Sequence, residues 1–136
     1  MNTPPLLFKY TFSTRIHDID AAGVMFFGRF FYHIHNAYES FLNENQSGIA
    51  RILASDFILP ITHTEADFKA PVLLNETLSI DIFLQEKKAR EFILYYHLVD
   101  SSDNILASAL TKHVCVHKVT KKSADLPEML KFLAVS

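Results

Sequence analysis

Two aspartates, Asp18 and Asp20, stand two residues apart in the stretch Ile16-His17-Asp18-Ile19-Asp20-Ala21-Ala22-Gly23-Val24-Met25-Phe26-Phe27-Gly28. Aspartates in loops often serve only to turn the chain or cap a helix. Here Val24, Met25, Phe26 and Phe27 follow at once, and a carboxylate in such apolar company loses hydration and becomes a stronger base or nucleophile. The stretch then runs into a helix expected over Arg29–Asn43, whose first amides have no internal acceptor and carry the positive end of the dipole. A carboxylate beside such a helix start can attack a carbonyl carbon or activate a water while the amides polarise the carbonyl oxygen. The chemistry this pattern suits is hydrolytic acyl transfer.

A second cluster is Lys87, Lys88 and Arg90, three cations within four residues. It would suit phosphate groups, although charge runs of this kind are also ordinary solvated loops. His113, Cys115 and His117 alternate and would share a strand face, a spacing that could place ligands around zinc. No acid lies nearby in sequence to complete or support the set, and a half-buried strand gives the same pattern, so no metal site is expected. His33 and His35 lie about 200° apart around a helix and cannot hold one ion together.

The elements that must position these residues are legible from periodicity. Phe30, Phe31, Ile34, Tyr38, Phe41 and Leu42 form a broad stripe at the helical period. Strand-like alternation puts Phe8, Tyr10, Phe12 and Ile16 on one face of a first strand, Leu78, Ile80, Ile82 and Leu84 on a second, and Phe92, Leu94, Tyr96 and Leu98 on a third. A fourth runs from Ile105 to about His117. A fifth extended segment covers Phe57 to Phe68, with Pro60 implying an edge or a bulge. Gln85–Arg90 reads as a polar hairpin loop and Ser101–Asn104 as a turn. The order, strand, long helix, then a strand meander, predicts one α+β domain over residues 1–136, with the helix on one face of an antiparallel sheet of about five strands. Phe83, Ile93, Tyr95 and Val99 give the opposite face bulk that one helix cannot cover, so the sheet is expected to meet another copy of the chain.

Composition narrows the setting. With 136 residues, 49% hydrophobic, 21% charged and a net charge of −2, the chain is too apolar for disorder. The longest apolar run, Ala21 to Gly28, is far short of the ~20 residues that span a bilayer. Met1-Asn2-Thr3-Pro4-Pro5 lacks the basic start and apolar run of a secretion signal, and the single cysteine suits the reducing cytoplasm. The slight acidity argues against a nucleic-acid partner.

Asp18-Ile19-Asp20-Ala21-Ala22-Gly23-Val24, followed by aromatics and a long helix, resembles the active-site signature of the hot dog fold acyl-CoA thioesterases of the 4-hydroxybenzoyl-CoA thioesterase type. Asp67-Phe68-Lys69-Ala70-Pro71 resembles that family's Asp-aromatic-x-x-Pro segment, and the order of elements agrees over nearly the whole chain. HNAYESFL at His35–Leu42, LPITHTEADFKAP at Leu59–Pro71 and TKHVCV at Thr111–Val116 are similar to the cyanobacterial 1,4-dihydroxy-2-naphthoyl-CoA thioesterases, which serve phylloquinone synthesis. The resemblance implies hydrolysis of an aromatic acyl-CoA, coenzyme A being part of the substrate and no separate cofactor being needed. It places the catalytic carboxylate on Asp20, a supporting role on Asp18, and the amide that holds the thioester oxygen near Phe27 and Gly28. Val24, Phe26, Phe27 and Phe31 are candidates for the apolar acyl pocket, and Lys87, Lys88 and Arg90 fall where relatives bind coenzyme A.

Many relatives have a histidine where this chain has Phe27, which implies catalysis by Asp20 and helix polarisation. A mixed anhydride on Asp20 and a general-base route are both compatible with the pattern. The family also implies a homodimer with sites between protomers, often doubled into a tetramer. Two other functions fit the fold: a broad-specificity acyl-CoA or acyl-carrier-protein thioesterase, and a non-catalytic acyl-CoA binding module, which would need an attached regulatory segment. A hydratase would need the histidine missing at Phe27.

Overall fold

The helical stripe folds as α1, Phe27–Glu44, which buries Phe30, His33, Ile34, Ala37, Tyr38, Phe41 and Leu42. The computed structural model describes residues 4–45, 48–130 and 133. The helix begins two residues before the expected start at Arg29, because Phe27, 61% exposed, and Gly28 belong to its first turn without facing the core. A second, short helix α2 covers Ile49–Leu53. The strands are β1 (Leu6–Ser13), β2 (Phe57–Ile58), β3 (Ile61–Phe68), β4 (Thr77–Lys87), β5 (Glu91–Val99), β6 (Ile105–Val114) and β7 (Val116–His117). Five of them form one antiparallel sheet in the order β1-β4-β5-β6-β3, and β2 pairs with β7 in a two-stranded ribbon.

Alternation explains the central strands. Leu78, Ile80, Ile82 and Leu84 of β4 and Phe92, Leu94, Tyr96 and Leu98 of β5 are at most 2% exposed, and they face α1 in register, Ile82 opposite Tyr96 and Leu84 opposite Leu94. Burying such side chains stabilises the fold by about 1.5–3 kcal/mol each. On the other face Phe83, Ile93 and Tyr95 are half-buried and Val99 is buried. Among the described residues no helix is long and apolar enough to cross a membrane.

Four sequence expectations shift at the strand ends. Ile16 leaves the β1 face and is 74% exposed, because β1 stops at Ser13. There Thr14 turns the chain, its Oγ1 donating to Leu73 O at 2.6 Å and accepting from Glu76 N at 3.0 Å. The Phe57–Phe68 segment breaks at Pro60 into β2 and the sheet-edge strand β3, whose register slips between Ile61 and His63. Gln85, Glu86 and Lys87 continue β4 past a slip at Leu84/Glu86. The hairpin loop is therefore only Lys88–Arg90, closed by Lys88 N–H on Glu91 O at 2.8 Å. Finally, β6 ends at Val114, and the chain then switches to pair β7 with β2.

That switch separates His113, Cys115 and His117. His113 is fully buried between the rings of Tyr38 and Phe92, at 4.7 and 4.6 Å. Cys115 is also buried, while His117 Nδ1 accepts the Val119 N–H at 3.2 Å. Among the described residues no three ligating side chains converge on a metal-sized site. Burial, aided by the charge of His35 and opposed by the Leu59 backbone, takes the His113 imidazole from 6.5 down to about 3. The unfolded chain therefore binds this proton more readily than the folded one. The stability His113 confers as a neutral ring is complete above pH 6.5 and is lost progressively as pH falls toward 3. The loss should amount to roughly 2 kcal/mol between pH 6.5 and 5. Urea titrations of wild type and His113→Gln over that range are expected to show the wild type falling more steeply; parallel curves would refute it.

Candidate active site

Asp18 and Asp20, equivalent in sequence, have different surroundings. The Asp18 side chain is fully buried. Its Oδ2 accepts the Arg15 N–H at 2.8 Å, and its Oδ1 lies 3.0 Å from Arg29 Nε and 2.9 Å from His33 Nε2. Burial alone would raise the Asp18 pKa, but the Arg15 amide, the Arg29 guanidinium and His33 outweigh it and hold the carboxyl below 3.8. This ionised side chain ties the one-turn 3₁₀ helix at Ile16–Asp18 to the first two turns of α1. His33 also stacks on Phe12 at 4.2 Å. In sequence His33 is weighed only as a metal ligand, and neither it nor Arg29 is linked to Asp18. The available signal was the spacing of Arg29 and His33, four residues apart on one helix face beside an acidic loop.

Asp20 is held by its backbone and leaves its side chain toward solvent. Its N–H donates to Val24 O at 2.9 Å, its carbonyl accepts from Gly23 N at 3.0 Å, and its Oδ1 accepts from Ala22 N at 2.8 Å. This tight turn needs the positive φ of Gly23, +83°. Beyond it, Met25 N donates to Val72 O at 2.7 Å and Phe26 N to Asp18 O at 2.9 Å. Asp20 thereby lines an open groove of about 380 Å³ with Val24, Met25, Phe27, Phe68 and Pro71. The Asp67–Pro71 segment thus meets the acid loop in space, Phe68 and Pro71 supplying its apolar wall.

The groove adjoins the start of α1, where Phe26 is the N-cap, no side chain caps the helix and the first turn carries no acid. The amides of Phe27 and Gly28 are the donors such a terminus leaves open. A β-carbon on Gly28 would come within 2.8 Å of the Phe26 ring, so glycine here lets Phe26 fold back over the first turn. Phe26 packs against Phe27 with the rings tilted, centroids 4.6 Å apart, and is not among the groove-lining residues. Gly28 and Phe31 instead border a second cavity, also about 380 Å³, between α1 and β3, with Tyr32, His35, Thr64 and Thr111 among its walls. Val24 and Phe27 thus line one recess and Phe31 the other.

Lys87, Lys88 and Arg90 lie elsewhere. The β6 residues Ala107, opposite Phe68, and Val114, opposite Glu91, are about 23 Å apart along the strand. The cations therefore share no pocket with Asp20 within one protomer. Two of them are already paired, Arg90 Nε with Asp125 at 2.9 Å and Lys88 Nζ with Glu86 at 3.6 Å.

One long helix across a five-stranded antiparallel sheet, with a carboxylate turn leading into the helix's N-terminus, defines a hot dog thioesterase. The chain belongs to the thioesterase-like superfamily, whose sequence model matches residues 14–132. More particular likenesses lie within it. A 1,4-dihydroxy-2-naphthoyl-CoA hydrolase from Synechocystis is 33% identical over 89% of each chain, and one from Microcystis aeruginosa is 34% identical, covering 84% of this chain and 83% of its own. The crystal structure of a 1,4-dihydroxy-2-naphthoyl-CoA thioesterase from Synechocystis superposes with a TM-score of 0.87 at 32% identity, covering 93% of both chains. A gentisyl-coenzyme A thioesterase superposes with a TM-score of 0.82 at 25% identity, covering 91% of this chain and 99% of that one.

Proposed function

We propose that the protein hydrolyses an aromatic acyl-CoA thioester, 1,4-dihydroxy-2-naphthoyl-CoA, to the free acid and coenzyme A, a step of phylloquinone (vitamin K1) synthesis in the cytoplasm. The observation that carries this reading is the half-exposed carboxylate of Asp20 in an apolar groove beside the uncapped start of α1. The thioester oxygen rests on the Phe27 or Gly28 amide, where the helix dipole favours its developing negative charge. Asp20 then acts in one of two ways. It attacks the carbonyl carbon, expelling the coenzyme A thiolate and leaving a mixed anhydride that water cleaves. Alternatively, it takes a proton from a water that attacks the same carbon. Either route uses only water as co-reactant and calls for no separate cofactor. A panel of aryl-CoA and aliphatic acyl-CoA esters, read by thiol release and product chromatography, tests the assignment. The dihydroxynaphthoyl ester is expected to be turned over most efficiently, and a preference for long aliphatic chains would overturn the substrate.

The phosphates of coenzyme A, at the far end of a long flexible arm, are assigned to Lys87, Lys88 and Arg90. Replacing all three with alanine is expected to raise KM about tenfold, the effect of losing roughly one charge-assisted hydrogen bond, with kcat within twofold of wild type. An unchanged KM would identify the loop as an ordinary solvated turn.

The working unit we assign is a homodimer, doubled into a homotetramer. β3 is an eight-residue edge strand with Ile61 40% and Phe68 49% exposed, the kind of edge that soluble proteins cover. Both recesses open beside it. Analytical ultracentrifugation should show two- or four-fold the 15.5 kDa chain mass; a monomer at micromolar concentration would contradict this.

A further inference from the structure

We infer that Thr111 is a specificity-determining residue that holds a ring hydroxyl of the aromatic acyl group, an inference that rests on the hydrolase function proposed above. Thr111 lines the cavity between α1 and β3 and is only 3% exposed, so it forms the cavity's floor. A hydroxyl can donate one hydrogen bond and accept two. Two of these three are in use, because Thr111 Oγ1 lies 2.8 Å from Tyr96 OH and 2.8 Å from His113 Nε2. Thr111 has a single proton, so it cannot donate to both neighbours. Every other arrangement of protons along Tyr96, Thr111 and His113 leaves Thr111 with one unused valence, either its own O–H or a lone pair. A phenolic hydroxyl both donates and accepts, and therefore meets either one.

The rest of the cavity fits a flat ring with a polar substituent. Phe31, Ile34 and Ile61 form apolar walls, and the axial rise from Gly28 to His35 is about 10 Å, room for a bicyclic acyl group whose carbonyl rests on the first amides of α1. Thr64, adjacent to Thr111 across the strand pair, already donates its O–H to Leu110 O at 2.8 Å. Tyr32, 62% exposed, and the exposed His35 sit at the rim. Thr111 alone of these groups is both buried and fixed by two partners, the preorganisation that makes a polar contact selective.

The test is the ratio of kcat/KM for 1,4-dihydroxy-2-naphthoyl-CoA to that for 2-naphthoyl-CoA, which has the same rings and no hydroxyl, in wild type, Thr111→Val and Thr111→Ser. Intrinsic differences in ester reactivity cancel when the ratio is compared between variants, and so does the fraction of each variant that is folded. Valine is expected to lower the ratio about tenfold, chiefly through KM for the hydroxylated ester, and serine to keep it near wild type. If valine is not tolerated, Thr111→Ala is read by the same ratio. A ratio unmoved by valine or alanine overturns the role of Thr111 while leaving the hydrolase intact. Failure of wild type to cleave either ester overturns the hydrolase reading and this inference together.

Discussion

Asp20→Asn is expected to lower kcat/KM for the aryl-CoA substrate about 10³-fold, equivalent to ~4 kcal/mol of lost transition-state stabilisation, while the melting temperature moves by no more than a degree or two. The two halves of this expectation come from different parts of the same residue. Asparagine keeps the size and the oxygen that accepts the Ala22 N–H at 2.8 Å, and the turn is otherwise built from backbone bonds between Asp20, Gly23 and Val24. What asparagine lacks is the charge, so it neither attacks a carbonyl nor takes a proton from water. The helix start still polarises the thioester, so residual turnover above the uncatalysed rate is expected. Steady-state kinetics together with a thermal melt check both halves; a fully active variant would move the chemistry away from Asp20.

Asp18→Asn should show the opposite separation. It is expected to destabilise the fold by about 3–5 kcal/mol, because breaking a buried ion pair leaves Arg29 and His33 facing an uncharged partner. For a chain of this size that corresponds to a fall in melting temperature on the order of 10 °C. Activity per folded molecule should decline much less than in Asp20→Asn. The pH dependence provides a second signature. Since the folded-state pKa of Asp18 lies below its unfolded value of 3.8, its contribution is complete above that value and is lost as pH falls through the folded pKa. Acid unfolding of wild type below pH 4 should therefore be steeper than that of Asp18→Asn. Equal stability of the two proteins at pH 7 would show that the Arg29–Asp18–His33 cluster contributes nothing to the fold.

The difference between these two acids marks how far the sequence could be read. α1 and the β4–β5–β6 meander were visible because their buried faces repeat at 3.6 and 2 residues, and periodicity reports burial directly. β3 was blurred for the same reason, since an exposed edge strand has little buried face to reveal. Asp18 and Asp20 could not be told apart by spacing. Arg29 and His33 decide their roles, and those two side chains reach the loop only after α1 has packed on the sheet. The polar run Gln85–Arg90 looked like one loop because side-chain polarity says nothing of backbone pairing, which continues to Lys87. The cavity floored by Thr111 depends on β3 lying beside β6, a contact between residues more than forty positions apart that no local pattern records.

The ring of Phe26 occupies the space where a side chain at position 28 would begin, so the two positions behave as one unit. A side chain at 28 would push that ring aside, and with Phe26 46% exposed the ring has solvent to move into. A change at position 28 would first be felt at the mouth of the cavity between α1 and β3 that Gly28 borders, with the core beneath α1 left undisturbed.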